Sequence, residues 1–129
     1  MDNTLNIKVL VVDDNQINRL LINKILTKWG VVAEFAENGI EAIEKVEATP
    51  NYDAILMDIN MPKMGGMEAT GILRGKPEPY YQQVPIIALT ASMLTNDMGE
   101  ITVAGMTDYI LKPFEPAILF DKLSRYQKQ

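Results

Sequence analysis

Five short apolar runs, separated by segments of helical spacing, limit what this chain can fold into more than any other feature. The runs are about Ile7 to Val12, Val31 to Phe35, a third that begins near Asp53 and ends at Met57-Asp58, a fourth from near Val84 to Thr90, and Tyr109 to Leu111. Strand-like runs that alternate with helical patterns predict a parallel sheet, because parallel neighbours need a long crossover, usually a helix, and the helices then cover both faces. Glu34 interrupts the second run as a half-exposed edge strand would. With 129 residues, one core suffices. Residues 1–129 are therefore read as a single α/β domain with its core at about 7–126 and polar margins at both ends.

Between the runs, Ile17, Leu20, Leu21 and Ile25 fall at the i, i+3, i+4, i+8 spacing of one helix face and predict the buried stripe of a first helix ending near Trp29-Gly30. Trp29 reads as structural. Asn38 with Glu41 three residues on is a helix-start signal, after which Ile40, Ile43 and Val46 mark an apolar stripe. The segment Asn60-Met61-Pro62-Lys63-Met64-Gly65-Gly66 is rich in turn formers and leads into a short helix to about Arg74. Gly75 to Gln83 reads as a polar loop. A helix interrupted by Asn96 and Gly99 is expected near Thr95 to Val103, and Pro116 suits the first turn of a last helix whose Leu119, Leu123 and Tyr126 face inward.

Composition removes several classes of function. The chain has no Cys and no His, so disulfides, thiolate nucleophiles, the usual zinc ligands and imidazole bases are all excluded. A formal net charge of -5 without a basic cluster argues against binding to nucleic acid. No apolar run approaches the roughly 20 residues that span a bilayer, and the start lacks the pattern of a signal peptide. No membrane insertion and a cytoplasmic location are expected.

Four of the runs end in reactive polar groups: Asp13 and Asp14, Asp58, Thr90, and Lys112. Ligands of open α/β sheets bind at the carboxyl ends of the strands, which is where these residues would stand. Three carboxylates about 4 Å apart repel by roughly 4 kcal/mol per pair at an effective dielectric near 20, more than one Lys readily offsets. A divalent cation is the natural remedy. Mg²⁺ takes one or two carboxylates and completes its shell with waters and phosphate oxygens, so an incoming phosphoryl group is the missing ligand. Asp58 is the candidate nucleophile, since an ionised carboxylate can attack phosphorus without a general base. Thr90, Lys112 and backbone N–H groups after Asp58 are candidates to hold the phosphoryl oxygens.

The chain resembles the receiver domain of two-component response regulators over nearly its whole length. The resemblance is carried by Val9-Leu10-Val11-Val12-Asp13-Asp14, Met57-Asp58-Ile59-Asn60-Met61-Pro62-Lys63-Met64-Gly65-Gly66, Ala88-Leu89-Thr90-Ala91 and Tyr109-Ile110-Leu111-Lys112-Pro113-Phe114. It implies a flavodoxin-like (βα)5 three-layer sandwich with strand order 2-1-3-4-5. It also implies Mg²⁺-dependent phosphorylation of Asp58 by a histidine kinase or histidine phosphotransfer protein, the metal being held through Asp13, Asp14, Asp58 and the main-chain carbonyl of Asn60. Thr90 and Tyr109 are then the coupled switch pair, Lys112-Pro113 the family's cis peptide, and Asn60 and Ser92 the positions that tune acyl-phosphate lifetime. A downstream protein target would read the altered surface, and Met93, Leu94 and Met98 are candidates for an adaptable docking patch there or for core packing. Apart from this self-catalysed phosphorylation and dephosphorylation, no enzyme activity is expected. The segment Asp13-Asp14-Asn15-Gln16-Ile17-Asn18 is similar to receivers of hybrid sensor kinases, which fits a receiver excised from such a kinase as well as one standing alone.

Other functions fit less well. A flavodoxin that binds FMN needs a phosphate-cradling loop where this chain has two acids, and a haloacid-dehalogenase-type phosphatase needs an acid at position 60, where Asn cannot move the proton. Pro62 spoils an EF-hand reading of Asp58 onward, and no P-loop is present. The alternative that stays open is a receiver-like interaction module that signals without phosphorylation.

Overall fold

The computed structural model describes residues 4–91, 95–112 and 115–127, with residues 95–98 as backbone only. Five strands, β1 (Lys8–Val12), β2 (Val32–Ala36), β3 (Ala54–Asp58), β4 (Ile86–Thr90) and β5 (Asp108–Leu111), form one parallel sheet of order β2-β1-β3-β4-β5. The three central strands are buried almost throughout, as continuous apolar runs covered on both faces must be. The edge strand β2 carries Glu34 half-exposed, as expected.

Among the described residues, six helices connect or follow the strands: α1 (Gln16–Lys28), α2 (Gly39–Ala48), α3 (Gly66–Arg74), α4 (Pro79–Gln83), α5 (Thr95–Ala104) and α6 (Pro116–Ser124). Successive strand residues point to opposite faces, so Val9 and Val11 meet one core with Leu56, Ile87 and Leu89, while Leu10 and Val12 meet another with Ile55, Met57, Ile86 and Ala88. Helices α1 and α6 close the first through Ile22, Ile25, Leu26, Leu119 and Leu123, and Trp29 meets Phe120 edge-on at 4.9 Å. Helices α2, α3, α4 and α5 close the second through Ala42, Val46, Ala69, Leu73, Tyr81 and Ile101. Among the described residues, no helix is long and apolar enough to cross a membrane.

The helix starts follow local chemistry. Asn15 caps α1 by accepting from the N–H groups of Ile17 and Asn18 at 2.8 and 3.1 Å, and Asn38 caps α2 by accepting from Glu41 N–H at 3.0 Å. Gly30, with φ of 72°, turns the chain from α1 into β2.

Three expectations from the sequence are corrected. The buried stripe of α1 is Ile22, Ile25 and Leu26, whereas Ile17, Leu20 and Leu21 are exposed, Ile17 by 75%. The helix carries two overlapping apolar spacings, and its direction on leaving β1 selects the second. In α2, Ile40 is likewise exposed and Ala42 with Val46 forms the buried face. The segment expected to be a polar loop contains α4, because Pro79 pre-sets its first turn and Tyr81 packs into the second core. Tyr80 adds a hydrogen bond from its hydroxyl to the Tyr52 carbonyl at 2.9 Å.

The packing of α1 predicts unequal costs along one helix. Leu26→Ala, which empties a fully buried site, should lower stability by about 2–5 kcal/mol in urea titration, whereas Leu20→Ala should stay within about 0.5 kcal/mol of the parent.

Candidate functional site

Strand register brings the polar residues together. Val12 pairs with Met57, so Asp13 and Asp58 are the next residues of adjacent strands; Asp58 pairs with Leu89 and Thr90 with Leu111, so Thr90 and Lys112 follow in turn. The Lys112 N–H donates to the Thr90 carbonyl at 2.8 Å, extending the ladder by one residue at the site's rim. Asp13, Asp58 and Thr90 are buried and Asp14 is exposed.

Carboxylate oxygens of Asp13, Asp14 and Asp58 lie within 4.8 Å of one another. The Lys112 ammonium stands 3.3 Å from Asp13 Oδ2 and 3.3 Å from Asp58 Oδ2, one cation between two buried anions. Asp13 is held further by the Asn15 N–H at 2.9 Å and by the Asn18 side-chain amide at 3.3 Å, while Arg19 donates to its carbonyl at 2.6 Å. Asp58 has less support. Its Oδ1 accepts a long 3.4 Å bond from Asn60 N–H, and burial pushes its carboxyl above its ordinary value; the Lys112 ammonium pulls it back, and the Asp13 carboxylate adds to the rise. Of the two buried carboxylates, the less well supported is thus Asp58, which faces the cluster from the central strand. A hard divalent cation fits this donor set: it needs oxygen ligands and negative charge, and all three side chains supply both.

The loop after β3 is fixed by close backbone approach. A Cβ on Gly66 would lie 2.2 Å from the Asp58 carbonyl oxygen, so no larger residue fits without moving the strand end. Gly66 N–H donates to the Ile59 carbonyl at 2.9 Å, and Gly39 N–H at the start of α2 donates to the Met64 carbonyl at 3.0 Å. Lys63 takes φ of 66° within this turn. Of the backbone donors expected after Asp58, that of Ile59 is engaged with the Leu89 carbonyl at 3.3 Å and that of Asn60 turns back on Asp58. A phosphoryl group would have to win the latter.

The structure gathers Asp13, Asp14, Asp58 and Lys112 into one cluster, with Thr90 beside it in the sheet. Tyr109 is partly buried, on the same face of β5 as Leu111 and paired with Ala88. Ser92, Met93, Leu94 and the Lys112-Pro113 peptide lie outside the described residues, as does the side chain of Met98. Sequence reasoning missed Asn18 and Arg19 as supports of Asp13. The available signal was position, because a helix starting at residue 16 aims its first-turn side chains back at the strand end.

A family model described as response regulator receiver domain matches residues 9–124. The chain is 38% identical over 125 residues to hybrid signal transduction histidine kinase G of Dictyostelium discoideum, covering 95% of this chain and 4% of that protein. Across eight such curated relatives it spans between 4% and 17% of their length. Among solved structures, the receiver domain of sensor histidine kinase PA1611 from Pseudomonas aeruginosa, which carries a magnesium ion in its active-site cleft, superposes with a TM-score of 0.84 at 38% identity, covering 94% of this chain and 97% of that one. The receiver domain of Saccharomyces cerevisiae Ssk1, crystallised with the histidine phosphotransfer protein Ypd1, does so with a TM-score of 0.85 at 29% identity, covering 96% and 90%.

The raised Asp58 carboxyl gives a signed prediction. Its protonated form is favoured by folding, so its contribution is favourable below the unfolded value and is lost as pH rises through the folded one. Asp58→Asn should therefore unfold at a higher temperature than the parent at pH 7 in EDTA, with the gap closing as pH falls towards 4. Mg²⁺ at tenfold its Kd should stabilise the parent by about 1.4 kcal/mol, and Asp58→Asn by clearly less, both measured by thermal unfolding.

Proposed function

Since the chain belongs to the response regulator receiver domain family, we propose that it is a phosphoacceptor switch, phosphorylated on Asp58 by a phosphohistidine partner. The observation that carries this reading is the ammonium of Lys112 shared between Asp13 and Asp58 beside a third carboxylate. A carboxylate oxygen of Asp58 attacks phosphorus, the partner's P–N bond breaks as the new P–O bond forms, and the imidazole leaves and takes up a proton from solvent. No base is needed, in keeping with a chain that has no His. Asp13, Asp14, Asp58 and the Asn60 carbonyl would hold Mg²⁺, which supplies positive charge to the transferring phosphoryl oxygens. Lys112 would turn from the carboxylates to one phosphoryl oxygen and the Thr90 hydroxyl would donate to another. Residues 1–129 are read as one receiver domain, acting in the cytoplasm.

The energies suit a switch. Moving a two-state equilibrium from 1:99 to 99:1 takes about 5.5 kcal/mol, and two hydrogen bonds to a charged group supply roughly 3–6. Thr90 drawn to the phosphoryl group frees space on its face of the sheet, and Tyr109, one strand over and two residues back, turns towards it. The changed surface around β5 is what a downstream protein would read.

A face for the phosphodonor adjoins the acid cluster. Ile17, Leu20 and Leu21 are exposed on α1, and Leu20 shares a hollow with Gln16, Arg19, Asn23 and Phe35. Their stripe starts three residues after Asp14, so a partner presenting phosphohistidine to Asp58 covers it. A histidine kinase or a histidine phosphotransfer protein is the partner of that description. The Ssk1 receiver's co-crystal with Ypd1 supports the second kind.

Acetyl phosphate with Mg²⁺ should add the mass of one phosphoryl group to the protein and none to Asp58→Asn. If the parent takes up no phosphoryl group, the phosphorylation-independent interaction module is the better reading. Leu20→Arg should slow transfer from a phosphohistidine protein by about tenfold, the scale of a central interface residue, while labelling by acetyl phosphate stays unchanged. Equal slowing with both donors would remove the assigned docking face.

A further inference from the structure

Lys122 belongs to α6, which packs on the first core, yet its ammonium reaches round the edge of the sheet to the other face. Its Nζ donates to Asp108 Oδ1 at 2.8 Å and lies 4.9 Å from the centroid of the Tyr109 ring. Asp108 is itself well anchored: Tyr109 N–H donates to Oδ1 at 2.7 Å, and Arg125, tied to Asp121 at 2.9 Å, comes within 3.6 Å of Oδ2. The ammonium is therefore kept over the ring. The ring packs against the second core on one side and lines, with Leu111, Glu115, Ile118 and Lys122, a groove of about 460 Å³ between β5 and α6.

Among the described residues, two other rings carry a Lys in the same way, Tyr52 under Lys8 at 4.8 Å and Tyr81 under Lys76 at 5.7 Å, but both tyrosines are buried and stay where the core puts them. Tyr109 is partly exposed on an edge strand, so there the cation can decide where the ring sits. We propose that Lys122, anchored by Asp108, is a positioning residue that holds the Tyr109 ring in the β5–α6 groove of the unphosphorylated protein. The consequence for signalling rests on the reading of Thr90 and Tyr109 as coupled, since a ring that turns towards Thr90 leaves the ammonium behind. A cation over a partly exposed ring biases such an equilibrium by about two- to fivefold. That is enough to lower the resting population of the turned-in ring, and little enough for phosphorylation to override.

The test is fluorine NMR on the full chain labelled with 3-fluorotyrosine, the Tyr109 resonance being the one of five lost in Tyr109→Phe. Beryllium fluoride with Mg²⁺ serves as the phosphoryl mimic. In Lys122→Met, which keeps the aliphatic stem, the free protein's Tyr109 resonance should move towards the mimic-bound position, and the mimic should bind about two- to fivefold more tightly because the competent state is more populated. Asp108→Asn should act in the same direction, and Lys122→Arg should restore both readouts to those of the parent. Mimic affinity and Tyr109 resonance unchanged in Lys122→Met overturn the inference. A resonance that responds to Lys122→Met but not, in the parent, to the mimic leaves Lys122 in its role and counts instead against the Thr90 and Tyr109 switch.

Discussion

The in-register pairing of β1, β3, β4 and β5 is the constraint on which the rest of the molecule depends. A slip of one residue in any of these strands would turn every buried side chain to the opposite face. Two cores, each lined by alternate residues of the same strands, forbid it. The position of Asp58 beside Asp13, and of Lys112 one residue past Thr90, is therefore enforced by Val, Leu and Ile side chains that never touch the site. Each of those buried side chains contributes roughly 1.5–3 kcal/mol, far more together than the repulsion they impose at the strand ends.

The acid cluster is a local cost that the fold carries. Buried Asp13 is stabilised by the cap region of α1 and by Lys112, whereas Asp58 has one long backbone hydrogen bond and a share of the same ammonium. Uneven support of this kind leaves one carboxylate poorly solvated, and its carboxyl shifts up accordingly. On the proposed reading a cation and a phosphoryl group would both relieve that state, so that binding and chemistry would draw on the same imbalance. Gly66, with no Cβ to meet the Asp58 carbonyl, lets the loop lie close against it, and its N–H holds the Ile59 carbonyl there.

From this cluster the sheet offers a short route to the molecule's edge. Thr90 ends the last central strand, Lys112 follows its partner, and Tyr109 lies on the same face of β5 under Lys122. The ionic group of Asp108, Lys122, Arg125 and Asp121 ties β5 to α6 there, so a change at the strand ends need cross only one strand to reach a solvent-facing groove.

The sequence by itself determined the α/β class, the strands to within a residue or two, and the residues of the acid cluster, because parallel strands buried on both faces are unbroken apolar runs and a polar residue at the end of one stands out. It did not determine which side of α1 is buried. Ile17, Leu20, Leu21, Ile22, Ile25 and Leu26 satisfy two helical stripes at once, and only the packing of the helix against Val9, Val11 and Leu56 chose between them. Tertiary structure alone also decided that the Tyr80 hydroxyl reaches the Tyr52 carbonyl and that Lys122 covers Tyr109. These contacts join residues whose spacing carries no period, and they exist because a helix axis, fixed by the core, happens to aim a long side chain across to a neighbouring element.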